Sequence, residues 1–171
     1  MRIEVDKLEE LGGKFSRVYG INELALDDRE VRLIDPAKVH GRIKRSANEV
    51  ELSGELTARV EAPCGRCLQT VRLPIHSEFV ERFVPTVSWR TEEQHELHEE
   101  DLNLAVFDGE TIDLDDVVRE EILLALPGHI LCSEECKGLC SICGIDRNFS
   151  SCQCESKVID SRWAKLKELQ T

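Results

Sequence analysis

From residue 31 onward the apolar positions of this chain recur every second residue. In VRLIDPAKVHGRIKRSANEVELSGELTARVEA, Val39, Ile43, Val50, Leu52, Leu56, Ala58 and Val60 often alternate with polar neighbours. That period predicts half-buried strands of an antiparallel sheet, punctuated at Asp-Pro, Ser-Ala-Asn and Ser-Gly. LQTVRLPI and FVERFV continue the pattern beyond Cys67, so Cys64 and Cys67 are expected to cap a turn between two strands. The alternation breaks at Val84. Pro85 and the run RTEEQHELHEEDLNL follow, and residues 85–108 read as an acidic loop or insert with a solvated face.

The period then lengthens. In TIDLDDVVREEILLALPG, Leu114, Val117, Val118, Ile122 and Leu126 share one helical face. Asp113, Asp115 and Asp116 suit the positive end of that helix, and Pro127-Gly128 stops it. In VIDSRWAKLKELQ, the spacing of Trp163, Leu166 and Leu169 predicts a short C-terminal amphipathic helix, with Lys165 and Lys167 near its negative end. The expected fold is α+β. A β-rich antiparallel body spans 1–84, the acidic loop 85–108 follows, an acidic amphipathic helix spans 109–128 and packs on the body, and a Cys-rich zinc-binding module with the last helix occupies 129–171.

Charge changes this picture only locally. The formal charge of -12 at pH 7 belongs to one segment, because residues 1–77 carry 13 basic and 13 acidic side chains, residues 122–171 carry 6 of each, and residues 78–121 carry 15 acidic against 3 basic. A whole-chain charge therefore does not exclude a polyanionic partner elsewhere on the surface. No apolar run has the length of a membrane span. The opening MRIEVDKLEELGG lacks the apolar core of a secretion signal, so a cytoplasmic location without a membrane partner is expected.

Cytosolic thiols are kept reduced, which turns the chain's eight cysteines toward metal. Structural zinc takes four thiolate or imidazole ligands, and a C-x2-C turn presents two sulfurs from one tight loop. Cys64-Gly-Arg-Cys67 and Cys140-Ser-Ile-Cys143-Gly144 both have that form, and Gly144 supplies the positive φ that such a knuckle often needs. Eight thiols make two complete sites. Cys140, Cys143, Cys152 and Cys154 need only a short loop to close, leaving Cys64 and Cys67 to meet Cys132 and Cys136 across the chain. The rival grouping joins the two knuckles. Four thiols also suit an iron–sulfur cluster or an oxidisable zinc site, so those alternatives stand beside structural zinc. Pro63-Cys64-Gly-Arg-Cys67 with His76-Ser-Glu78 imitates a zinc deaminase, but those enzymes place H-x-E upstream and on a helix. His129 is a conceivable substitute ligand, and His95, His98 and Glu99 a conceivable extra site. No catalytic triad or phosphate-binding glycine loop stands out, and an enzyme is not expected.

The stretch EEILLALP, the pattern C-x3-C-K-G-L-C-x2-C-G and the closing D-x-R-x-x-x-L-x-x-L together resemble the YceD-like family, the large ribosomal RNA subunit accumulation proteins, over roughly residues 30–169. Ser161 departs from the proline usual there, a change expected to be tolerated at a helix start. The resemblance implies a non-enzymatic factor that binds 23S ribosomal RNA or its precursor, promotes its processing or accumulation, and meets large-subunit ribosomal proteins as further partners. A compatible surface is present in PAKVHGRIKRSAN, where Lys38, Arg42, Lys44 and Arg45 occur without an acid, and Arg66 and Arg72 are expected on neighbouring strands. Strand-spaced cations can neutralise phosphates and release counterions, although a solvated strand face shows the same pattern. His40, Arg147 and Asn148 are further candidate RNA contacts. A zinc-dependent, redox-responsive protein adaptor without RNA binding is the alternative.

Overall fold

In the computed structural model, which describes residues 1–8, 12–26, 30–46, 49–87 and 104–154, the period-two segments join into one five-stranded sheet. Its strands are β2 (Gly13–Tyr19), β3 (Arg32–Arg45), β4 (Val50–Pro63), β5 (Thr70–Pro85) and β6 (Leu104–Phe107), in spatial order β2-β3-β4-β5-β6. A separate ribbon pairs β1 (Arg2–Glu4) with β7 (Thr111–Asp113), and helix α1 (Leu114–Leu124) follows at once. The α+β class read from the pattern is the observed one. The expected C-terminal helix and most of the acidic loop, residues 88–103, lie outside the described residues.

Three details differ from the sequence reading. Asp35-Pro36 and Ser53-Gly54 do not end strands. The first lies inside β3, where the register with β4 shifts, and a bulge tolerates the missing proline N–H. Of the Ser-Ala-Asn stretch, Ser46 follows the end of β3 and its N–H bonds the Glu49 carbonyl at 2.8 Å, while Ala47 and Asn48 lie outside the described residues. The helix is also shorter than 109–128, because Thr111–Asp113 is drawn into β7 and Asp113 becomes the N-cap, its carboxylate accepting the Asp115 N–H at 3.0 Å. Finally, β6 runs parallel to β5, placing one parallel pair on an otherwise antiparallel sheet. The long connection between them is what a parallel crossover requires.

Ser53-Gly54 has another purpose. The register aligns Phe15, Gly41, Gly54 and Phe79 in one row across β2, β3, β4 and β5. A Cβ at Gly54 would lie 2.8 Å from the Phe79 ring and 2.8 Å from the His40 carbonyl oxygen, and one at Gly41 would lie 2.7 Å from the Phe15 ring. Each phenylalanine therefore folds over a glycine, and the missing side chains let both rings be buried.

One face of the sheet carries the core. Val50, Leu52, Leu56, Val60 and Ala62 of β4 are buried, and α1 lays Leu114, Val117, Val118 and Ile122 against that side. Burial of such side chains is worth about 1.5–3 kcal/mol apiece. Leu126, expected on the same helical face, packs on the core from beyond the helix end. Tyr19, fully buried, donates its hydroxyl to Asp115 at 2.7 Å and so ties β2 to the first turn of α1. Among the described residues no helix is long and apolar enough to cross a membrane.

Two outcomes test this packing. Gly54→Ala should cost about 1–3 kcal/mol in chemical unfolding, as overpacking does, and Phe79→Leu added to it should recover part of the loss; unchanged stability of the single variant would refute the ring-over-glycine wedge. Glu81 sits half-buried beside α1, and desolvation, then the carboxylates of Glu121 and Glu120, push its pKa up from 4.5 to about 7. The unfolded chain then releases this proton more readily than the folded one, so stability falls as pH rises from about 4.5 to 7. Solvent screening at this site limits the effect to about 1 kcal/mol. Glu81→Gln should stabilise by that amount at pH 8 and by almost nothing at pH 4, read from thermal melts at both pH values.

Candidate metal centres and the cationic sheet face

The β4–β5 connection is the first C-x2-C knuckle. Cys64 N–H bonds the Gln69 carbonyl at 2.8 Å, and Leu68 N–H returns to the Cys64 carbonyl at 2.9 Å. The second knuckle repeats both bonds, Cys140 N–H to the Ile145 carbonyl at 2.8 Å and Gly144 N–H to the Cys140 carbonyl at 2.9 Å. The residue after the second cysteine has positive φ in each, 62° at Leu68 and 73° at Gly144. The sequence marks only the second as a left-handed position. Leu68 adopts the same conformation at a cost of about 1–2 kcal/mol, because the turn requires it.

The eight thiols gather into two groups of four. Cys64, Cys67, Cys132 and Cys136 form one, and Cys140, Cys143, Cys152 and Cys154 the other, with all sulfurs in a group within 4.8 Å of one another. This is the grouping that short loop closure favours, and the two knuckles do not share a site. Two sulfur pairs of the first group lie 3.9 Å apart (Cys64 and Cys136) and 3.6 Å apart (Cys67 and Cys132). A tetrahedron with metal–sulfur arms of about 2.3 Å has edges of about 3.8 Å, so this donor set fits a four-thiolate metal centre. None of the eight cysteines is in a disulfide. His129 and His76 belong to neither group, and His76 instead faces Glu55 at 3.7 Å on the sheet surface. His95, His98 and Glu99 lie outside the described residues.

The electrostatics ask for a cation. The Arg66 N–H, 3.5 Å from the Cys64 sulfur, is the main cause that brings the Cys64 thiol down to about 6. The N–H groups of Cys143 and Ile142 bring Cys140 down to about 5. Cys67 goes the other way, to about 12: the Gln69 N–H favours its thiolate but is outweighed by desolvation and by the thiols of Cys132, Cys64 and Cys136. Crowding by Cys143, with desolvation next, likewise lifts Cys154 to about 12. Four close sulfurs cannot all ionise beside one another unless positive charge enters among them.

Several predicted RNA contacts turn out to serve these centres. Arg66 donates to the carbonyl of Cys136 at 2.9 Å and to that of Glu134 at 3.2 Å, fastening the first knuckle to the 132–136 segment. Asn148 donates to the Cys136 sulfur at 3.4 Å while its oxygen accepts the Lys137 N–H at 2.8 Å, and Arg147 reaches the Cys140 sulfur at 3.6 Å. Such donors offset the negative charge of a thiolate centre. Gly138 passes so close to the first knuckle that a Cβ would lie 2.8 Å from the Arg66 carbonyl oxygen, which the Leu139 N–H already bonds at 2.9 Å.

The remaining cations divide by face. Lys38, Arg42 and Lys44 alternate along β3 on the side away from α1, with His40 between them, all exposed. Arg72 of β5 lies on the same side, opposite Glu61 of β4. Arg45 does not. Strand alternation sends it to the other face, where it donates to the Val5 carbonyl at 2.9 Å and pairs with Asp6 at 3.6 Å. The sequence reading missed Lys14 of β2, which lies directly across from Arg42, because the pairing of β2 with β3 is not written in either segment. Lys44 pairs with Glu51 at 3.4 Å, whereas Lys14, Lys38 and Arg42 have no ion pair among the described residues.

The sequence model of one family, described as large ribosomal RNA subunit accumulation protein YceD, matches residues 52–170. Among curated proteins, YlbN of Bacillus subtilis strain 168 is 29% identical over 157 residues, covering 91% of this chain and 87% of YlbN. An uncharacterized protein of Mycobacterium tuberculosis strain H37Rv is 33% identical over 128 residues, covering 75% of this chain and 59% of that protein. One of Mycobacterium leprae strain TN is 28% identical over 134 residues, covering 78% and 59%. The chain thus spans less than two thirds of the length of these mycobacterial relatives. No solved structure gives a significant match. The match begins within β4 rather than near residue 30, and it takes in all eight cysteines, both knuckles, α1 and the 132–154 segment: the chain belongs to the YceD family of large ribosomal RNA subunit accumulation proteins.

Proposed function

We propose that this protein is a non-enzymatic, cytoplasmic factor of large-subunit assembly that binds 23S ribosomal RNA or its precursor and promotes its processing or accumulation, with large-subunit ribosomal proteins as neighbours. Family membership supplies the link to that RNA. The observation that supports direct binding is a sheet face that no described element covers, on which Lys14, Lys38 and Arg42 stand without ion pairs among the described residues. Zinc fills both thiolate centres in this reading. Each would give the metal four sulfurs and no open position, so zinc shapes the fold and activates no water.

Elemental mass spectrometry of protein purified without added metal should return about two zinc per chain, as two four-thiolate sites require. Cys136→Ser and Cys152→Ser should each leave about one, and only Cys136→Ser should free residues 129–154 from the β4–β5 turn, seen as faster amide exchange at Gly65 and Leu139. Iron, or full folding with no metal, would overturn the assignment. For RNA, crosslinking in growing cells followed by sequencing should enrich one region of precursor 23S RNA. The variant Lys38→Gln/Arg42→Gln/Lys44→Gln should lose that enrichment, fail to restore 23S accumulation, and reduce the salt slope of binding by about 3, one for each phosphate no longer neutralised. An unenriched RNA pool with accumulation still dependent on the protein would move the function to a protein partner, as the adaptor reading holds.

A further inference from the structure

The chemistry of the open sheet face says which form of RNA it suits. Sheet proteins that bind unpaired RNA stack the bases on aromatic rings set on the strands. Here the outward positions of β2, β3, β4 and β5 carry no Phe, Tyr or Trp, and their rings are the imidazoles of His40 and His76, both turned to Glu55, at 3.5 and 3.7 Å. The phenylalanines of β2 and β5, Phe15, Phe79 and Phe83, all point into the core instead. Among the described residues an unpaired strand laid on this face would meet only these two carboxylate-paired imidazoles on which to stack its bases.

What the face offers is a narrow rail. Lys38, Arg42 and Lys44 follow β3 over about 20 Å, at about 3.3 Å per residue. Lys14 flanks Arg42 on β2, the outer strand of the sheet. Hydroxyls stand in the same rows as the cations: Ser53 is across from Arg42, Thr57 across from Lys38, and Ser16 across from His40. Beyond the rail cations are matched by carboxylates: Glu55 on β4 lies opposite Glu78 on β5, and the outward Arg59, Arg72 and Arg82 stand beside Asp35, Glu61 and Glu49. The strip richest in cations is thus about two strands wide, roughly 10 Å with its side chains, with paired charges of both signs beside it. A base-paired helix turns its bases inward and presents ridges of phosphate with 2′-hydroxyls across a shallow minor groove. A strip of cations edged with hydroxyls complements one such ridge and its adjoining 2′-hydroxyls.

We infer that the Lys14–Lys38–Arg42–Lys44 rail, with Ser16, Ser53 and Thr57 beside it, binds base-paired RNA through phosphates and 2′-hydroxyls and does not read unpaired bases. The inference rests on the RNA-binding reading above and specifies its ligand.

The test is fluorescence anisotropy with the full chain, metals retained, against three probes: an RNA hairpin stem of about 16 base pairs, the span that shape-reading duplex binders cover, an unstructured RNA strand of matching length, and a DNA duplex of the stem sequence. The stem should bind about 10-fold or more tighter than the single strand, through contacts that Lys38→Gln/Arg42→Gln/Lys44→Gln removes. Ser53→Ala/Thr57→Ala should bring RNA and DNA duplex affinities closer together while keeping most of the salt dependence. These substitutions are at exposed or half-exposed sheet positions, and an unchanged melting profile confirms that each variant is folded. Tighter binding to the single strand, still abolished in the triple cation variant, overturns the duplex assignment and leaves RNA binding by this face intact. Equal affinity for the RNA and DNA duplexes overturns the hydroxyl reading. No binding to any probe removes both this inference and the direct-RNA function.

Discussion

Residues 129–154 have almost no hydrophobic core of their own, and the structure depends on how that segment is held. Its buried side chains are sulfurs, Cys136 and Cys140, and Cys136 joins Cys64 and Cys67 of the β4–β5 connection in a small cluster with Val71, Leu131 and Leu139 packed around it. The first cysteine quartet therefore stands where a larger domain would put aliphatic residues. It joins the end of β4 to a segment that begins 68 residues further on, from Cys64 to Cys132. Backbone bonds run alongside, Gly65 to Ile130 at 2.8 Å and Leu139 to Arg66 at 2.9 Å, but a few exposed hydrogen bonds are worth only about 1 kcal/mol each. A metal held by these four thiolates would supply what the missing apolar area does not, since metal affinity for such a site is folding free energy.

The clasp also fixes the sheet. β4 is paired on both sides and ends at Pro63, immediately before the first knuckle. Its inward side chains make the core with α1, and its outward ones, Ser53 and Thr57, border the cation rail. One strand thus connects the metal centre, the core and the open face. The row Phe15-Gly41-Gly54-Phe79 shows how closely the two faces are linked, because the residues flanking each glycine point outward as rail residues or their neighbours while the rings fill the core side.

Much of this is legible in the chain. Alternation locates the strands, the change to a 3.6-residue period locates α1, and cysteine spacing with loop length separates the two quartets. What sequence does not supply is information held in pairing. Gly54 reads as a turn because glycine usually is one, and its use as a seat for Phe79 emerges only once β4 and β5 are in register. Arg45 and Lys44 are adjacent in sequence, yet they reach opposite faces, and a short basic run cannot be read as one surface once strand alternation applies. Arg66 reads as a ligand for RNA because a strand beside the basic stretch is expected there, and Arg147 and Asn148 because they sit in the cysteine-rich loop. Their donors are turned to carbonyls and sulfurs around the two centres. Lys14 belongs to the rail through a strand pair that leaves no local mark.

The acidic residues of α1 are compatible with the proposed RNA-binding face because of where they lie. Asp113, Asp115, Asp116, Glu120 and Glu121 belong to α1 or its cap, on the core side of the sheet, whereas Lys14, Lys38 and Arg42 point from the opposite side. The two surfaces are separated by the sheet and the packed side chains beneath it, a layer of about 10 Å by analogy with stacked sheets. The Debye length at physiological ionic strength is about 8 Å, so the carboxylates of α1 weaken the attraction at the rail without cancelling it. The same arrangement opposes a polyanion that approaches from the helix side. On the proposed reading the charge of α1 would therefore favour approach of RNA from the rail side, and the net charge of -12 is by itself no argument against such binding.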